Sequence, residues 1–92
     1  MIITIEFSTS FSMITEHALV QVQIDDAYAN VDQILKALLD QYPQIEEALL
    51  RGNFIIDGKL NAMLISGQKI LSDDSVITDH AHIRVLSQIC GG

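Results

Sequence analysis

The 92-residue chain has one cysteine, one proline, no tryptophan and only five basic residues, and each shortage excludes something. The single cysteine, Cys90, permits no internal disulfide, which fits a reducing compartment and leads us to expect a cytoplasmic protein. Five Lys and Arg against twelve Asp and Glu leave a formal charge of −7, and the basic residues never cluster. Phosphate neutralisation by Lys and Arg supplies most non-specific nucleic-acid affinity, so no nucleic acid is expected as a partner. An acidic surface repels anionic lipid as well. The longest unbroken apolar run, residues 62–65, is four residues. A membrane span needs about 18, so no membrane segment is expected. Nor does a basic segment precede an apolar one at the N-terminus, so no secretory leader is expected. With three Phe and two Tyr, the 49% apolar content has to build an aliphatic core, and the length suits one domain.

What is present is patterned. Residues 2–7 alternate, with Ile3, Ile5 and Phe7 on one face and Thr4 and Glu6 on the other, as a half-buried strand requires. A Ser/Thr-rich loop is expected from Ser8. Residues 19–25 alternate again through Val20, Val22 and Ile24, so the first two strands form an antiparallel hairpin with a long connection. The period then changes. Val31, Ile34, Leu35, Leu38, Leu39 and Tyr42 recur at helical spacing, and Asn30 with Gln33 forms a capping-box pattern at the helix start. Pro43 ends that helix and opens a short second one over residues 44–51, closed by Gly52. Asp57-Gly58 and Ser66-Gly67 are turn signals around a mostly buried strand at 60–65. A short return at 68–71, a brief apolar anchor at Val76-Ile77 and a last strand over 83–89 complete an α+β order: a mixed sheet packed on one main helix plus a short second helix. One sheet face is then left partly open.

Few side chains in this pattern form a site. His80 and His82, two apart with Asp79 adjacent, would share one face of a strand, but a third metal ligand is missing. Cys90 reaches neither histidine unless the tail folds back, so it reads either as a small apolar residue or as an accessible thiol. Asp25-Asp26, Glu46-Glu47 and Asp73-Asp74 are adjacent in sequence and therefore diverge in space. There is no phosphate-cradling glycine loop. The remaining feature is the terminal Gly91-Gly92, a pair that chance gives in roughly 0.5% of sequences. Without Cβ atoms it could thread a narrow channel and present its last carbonyl to attack from either face.

The element order and the closing Cys90-Gly91-Gly92 resemble the MoaD/ThiS family of ubiquitin-like β-grasp sulfur carriers over essentially the whole chain. The resembling segments are Val31-Asp32-Gln33-Ile34-Leu35-Lys36-Ala37-Leu38, Tyr42-Pro43-Gln44-Ile45, Asn61-Ala62-Met63-Leu64-Ile65-Ser66-Gly67 and the diglycine. The second helix makes the molybdopterin synthase small-subunit branch the nearer match. The resemblance implies a β-grasp domain over residues 1–86 and a flexible tail over 87–92, and it implies carriage rather than catalysis. A ubiquitin-activating-type adenylyltransferase would use ATP and magnesium to adenylate the Gly92 carboxylate, and a persulfide donor would convert it to a thiocarboxylate. No cofactor would be bound by the chain itself. Gly91 would help the tail thread, and Cys90 would be a possible reactive thiol beside it. The molybdopterin synthase large subunit, or another sulfur acceptor enzyme, would receive the sulfur. The docking surface is expected near Leu60, Met63 and Ile65. A modifier conjugated to lysines and a non-covalent β-grasp interaction module are the alternatives, and the pathway stays open among molybdenum or tungsten cofactor, thiamine and cysteine synthesis.

Overall fold

A computed structural model describes residues 1–57 and 59–87. The alternating segments pair as their patterns demand. β1 (Ile2–Phe7) runs antiparallel to β2 (Leu19–Gln23), with Ile3 opposite Val22 and Ile5 opposite Val20. Between them the expected loop is a helix, α1 (Thr9–Thr15). Its Ser and Thr residues are weak helix formers, and Ser8 at the cap position makes no side-chain cap bond. Tertiary packing forms α1 instead: Phe11 is fully buried and its ring lies 4.7 Å from that of Phe54. The Ser8 amide donates to the Val85 carbonyl at 3.0 Å, which ties the start of α1 to the last strand.

After β3 (Tyr28–Ala29), α2 (Val31–Gln41) begins at the capping box read from sequence. The Asn30 side chain accepts from the Gln33 amide at 2.8 Å, and the Gln33 side chain accepts from the Asn30 amide at 2.9 Å. Breaking this pair with Asn30→Ala is expected to cost about 1 kcal/mol of unfolding free energy, measurable by urea denaturation. Val31, Ile34 and Leu38 are the buried stripe, while Leu35 and Leu39 stay partly exposed beside it. Pro43 occupies the first turn of α3 (Pro43–Arg51), where its missing N–H is not needed. Gly52 follows at φ −83°, an ordinary conformation; its small size matters instead, because a Cβ there would meet the Phe54 ring at 2.8 Å.

β4 (Ile55–Ile56) and β5 (Lys59–Leu60) form a small hairpin, with Asp57 in the left-handed region at φ 54° at its turn. The strand expected over 60–65 is thus split at Asn61: Leu60 belongs to this hairpin, and β6 (Ala62–Ser66) belongs to the main sheet. Gly67, at φ +64°, supplies the positive φ that turns β6 into β7 (Lys69–Ile70). β8 (Ile77–Thr78) pairs with β3, which buries Ile77 and leaves Val76 exposed. β9 (His82–Ser87) completes a five-stranded mixed sheet in the order β2-β1-β9-β6-β7. The β1–β9 pair is parallel and the others in this sheet are antiparallel.

The core lies between one face of this sheet and the helices. Ile3, Ile5, Phe7, Val22, Ile83 and Val85 pack there against Phe11, Leu38, Ile45 and Leu49. By the strand alternation, the opposite face carries Thr4, Glu6, His82, Arg84, Leu86, Met63 and Ile65, none of them fully buried. This is the partly open face expected from the sequence. No described helix is long and apolar enough to cross a membrane.

Candidate functional site

The diglycine chemistry read from the sequence sits on Cys90, Gly91 and Gly92, which lie outside the described residues with Gln88 and Ile89. The structure describes the strand that carries them. β9 is the central strand of the sheet, with β1 along one edge and β6 along the other. On one side Ile83 and Val85 stand in register with Ile5 and Phe7; on the other, Val85 faces Leu64 and Ser87 faces Ala62. Ile83 and Val85 are each 1% exposed. The β1 ladder ends at Val85 and the β6 ladder continues to Ser87, the last described residue, so a tail leaving it starts from a strand held in the sheet.

The open face above this strand mixes apolar and charged groups. Met63 is in register with Leu86, and Ile65 with both Arg84 and Ile70, so four apolar residues share this face with Arg84. Ile70 is 62% exposed. Leu60 differs from the expectation. It lies outside the main sheet, in the β4–β5 hairpin, where it lines a groove together with Leu35 of α2. A nearly continuous apolar run has no period from which that placement could be read.

The histidines separate as well. His80 precedes β9 in the left-handed region at φ 67° and pairs with Asp79 at 3.2 Å. His82, within the strand, has Nε2 at 2.7 Å from Glu6 Oε1 across the parallel pair. Each imidazole thus has its own carboxylate, and among the described residues no group of three or more His, Cys, Asp or Glu could hold a metal ion. The Glu6–His82 pair spans 76 positions in sequence, and no local pattern signals it.

Asp79 organises the turn into β9. Its Oδ1 accepts from the Ile2 amide at 2.8 Å and from the His80 amide at 3.0 Å. The Ile2 amide is the main reason that the Asp79 carboxyl is held below its ordinary range; desolvation opposes it, and His80 adds smaller contributions that lower it further. Because the folded-state value is depressed, the stabilisation is present above the unfolded value of about 4 and is lost as pH falls through the lower folded value. Asp79→Ala is expected to lower the thermal midpoint at neutral pH by more than it does near pH 3. Melting curves of both proteins at the two pH values check this.

One outer edge of the sheet is already occupied. The Gln41 side chain donates to the Gln23 carbonyl at 2.7 Å and accepts from the Gln23 amide at 3.1 Å, as a neighbouring strand would. The Tyr42 hydroxyl donates to the Gln21 carbonyl at 2.8 Å. Strand addition at β2 is thereby blunted.

A mixed sheet with a parallel central pair, wrapped over one principal helix and ending in its central strand, defines the ubiquitin-like β-grasp. Known structures agree. The chain is similar to SAMP1 from Haloferax volcanii at 17% identity, with a TM-score of 0.78 over 100% of both chains. It is also similar to a putative molybdopterin converting factor subunit 1 from Pyrococcus furiosus, at 10% identity and TM-score 0.69 over 96% of this chain and 98% of that one. A complex of molybdopterin-converting factor subunits 1 and 2 from Helicobacter pylori contains a further match, at 15% identity and TM-score 0.60 over 100% of both chains. No protein-family model matches the chain, and no curated protein matches it in sequence. At these identities the likeness establishes the fold.

Proposed function

We propose that the chain is a sulfur carrier whose reacting group is the carboxylate of Gly92. The observation that carries this reading is the whole-length match to the ubiquitin-like β-grasp in a chain whose central strand leads into Cys90-Gly91-Gly92. A partner adenylyltransferase consumes ATP with magnesium, joins AMP to the Gly92 carboxylate and releases pyrophosphate. A persulfide sulfur then displaces AMP, and a thiol cleaves the resulting acyl disulfide to leave the thiocarboxylate. The chain contributes no catalytic group to these steps. It supplies a rigid base at Ser87, a reach of about 20 Å over residues 87–92, and two glycines that pass where a side chain would collide.

The open face near Met63, Ile65 and Leu86 is the surface on which the sulfur acceptor rests while the tail is inserted. The likeness to a molybdopterin-converting factor complex favours a large-subunit synthase as sulfur acceptor, in the reducing cytoplasm. Intact-mass spectrometry of protein from its native host tests the reading: a gain of about 16 Da, sulfur replacing oxygen, is expected at the C-terminus. A population entirely without that species, in cells making the cofactor, counts against carriage. The likeness to SAMP1 supports a second reading, in which the same adenylate is passed to lysines of other proteins. An eight-residue Val85–Gly92 remnant on lysines in tryptic digests, left by cleavage after Arg84, separates that outcome from carriage.

A further inference from the structure

The turn of Leu60 away from the open face leads to another surface. α2, α3 and the β4–β5 hairpin enclose a groove of about 360 Å³. Its floor is aliphatic, formed by Leu35, Leu39, Leu49, Ile55 and Leu60. All but Leu49 are only partly buried, so apolar surface is left uncovered at the rim of the core. Past Leu60 the groove continues into a hollow of about 240 Å³ beside Ala62 and Leu71.

The rim is charged and unequal. Asp32, Asp40, Glu46 and Asp57 stand against Lys36 and Lys59, and Asp73 adds a further acid at the far end. Five acids face two lysines. The two ion pairs among the described residues both belong to His80 and His82, away from this groove.

Position identifies the occupant. Ala62 lines the second hollow and is the register partner of Ser87, the last described residue of β9. An extended tail beyond Ser87 spans about 17 Å, so whatever grips Gly92 comes within reach of the groove. We propose that this groove docks the enzyme that adenylates Gly92, through an apolar segment of that enzyme flanked by lysine or arginine. The proposal rests on the carrier reading. The hollow suits one or two aliphatic side chains, and the acid excess attracts a cationic flank while repelling an anionic one.

The test is ATP–pyrophosphate exchange with the host's ubiquitin-activating-type adenylyltransferase, with the full chain varied as substrate at low and high salt. Asp32→Lys combined with Asp57→Lys changes two exposed rim positions without touching the core. This double variant is expected to raise KM for the carrier about tenfold with kcat unchanged, as loss of uniform binding requires. The difference should shrink as salt rises. Leu60→Gln should raise KM at both salt concentrations, with a melting curve confirming that it folds.

Exchange absent with the wild-type chain sinks the carrier reading itself. Normal exchange with an unchanged KM in the charge-reversed protein sinks the groove alone. A wild-type dimer that the charge reversal makes monomeric would assign the groove to a second copy. Faster alkylation of Cys90 in the charge-reversed protein, with no enzyme present, would assign it to the chain's own tail. Either of these last results overturns the proposal.

Discussion

Deleting Gly91 and Gly92 is expected to abolish ATP-dependent activation of the chain while leaving its thermal midpoint unchanged. The two halves of this expectation have separate physical causes. The described ladder of β9 ends at Ser87, and the buried residues of that strand are Ile83 and Val85, so the fold loses none of the pairing it is known to have. The proposed chemistry loses its reacting atom. Without the two glycines the terminal carboxylate moves to Cys90, about 7 Å short of its former place. Misplacement by about 1 Å costs on the order of a hundredfold in rate, so this retreat removes the carboxylate from any site built for Gly92. We expect kcat/KM for adenylation to fall by at least about a thousandfold, or about 4 kcal/mol of transition-state stabilisation. Gly92→Ala keeps the chain length but adds a Cβ, and is expected to raise KM and lower kcat together if the channel is narrow. Undiminished activation of the deleted chain would remove both the carrier and the modifier readings, since both act through the same carboxylate.

The parts of this arrangement that were legible in the sequence are those in which one face of an element is buried. Ile3, Ile5 and Phe7 alternate because β1 has a core side and an open side; Val20 and Val22 alternate for the same reason. The α2 stripe and its Asn30–Gln33 box are likewise local records of one-sided burial and of two unsatisfied amides. Where burial is two-sided or non-local, the record fails. The run from Leu60 to Ile65 is almost continuously apolar, so neither its break at Asn61 nor the turn of Leu60 toward α2 leaves a periodic trace. Pairing of Tyr28 with Thr78 depends on residues fifty positions apart in strands of two residues each. The proposed reacting end rests on a different kind of signal. Gly91-Gly92 suggests a chemistry through what glycine lacks, whereas the central position of the strand that leads to it emerges only from the pairing of β9 with β1 and β6, and the charged groove only from the packing of α2 against the β4–β5 hairpin.

α1 is the helix that sequence patterning missed, and it is the place to expect the largest loss of stability. Phe11→Ala should cost about 3–5 kcal/mol, the range for removing a fully buried phenylalanine without collapse of the site. Phe11 is 0% exposed, and its ring meets that of Phe54 at 54°. Phe54 is itself held close over Gly52, where no Cβ intervenes. Little around the vacated volume can therefore move in to fill it. For a domain of this size the loss corresponds to a drop on the order of 20 °C in thermal midpoint. Met13→Ala on the same helix provides the contrast: its side chain is 77% exposed, and the change is expected to stay within about 0.5 kcal/mol. Urea denaturation of the two variants separates the cases, and a cost below about 1 kcal/mol for Phe11→Ala would mean that α1 is not docked through that ring. The effect should also travel to the tail. The Ser8 amide that begins α1 is bonded to the Val85 carbonyl, so undocking the helix removes a restraint from β9 two residues before its last described position. Amide exchange at Val85 and Leu86 should then accelerate beyond that at Val22, and adenylation should slow in a folded population of the variant because the base of the tail is no longer fixed.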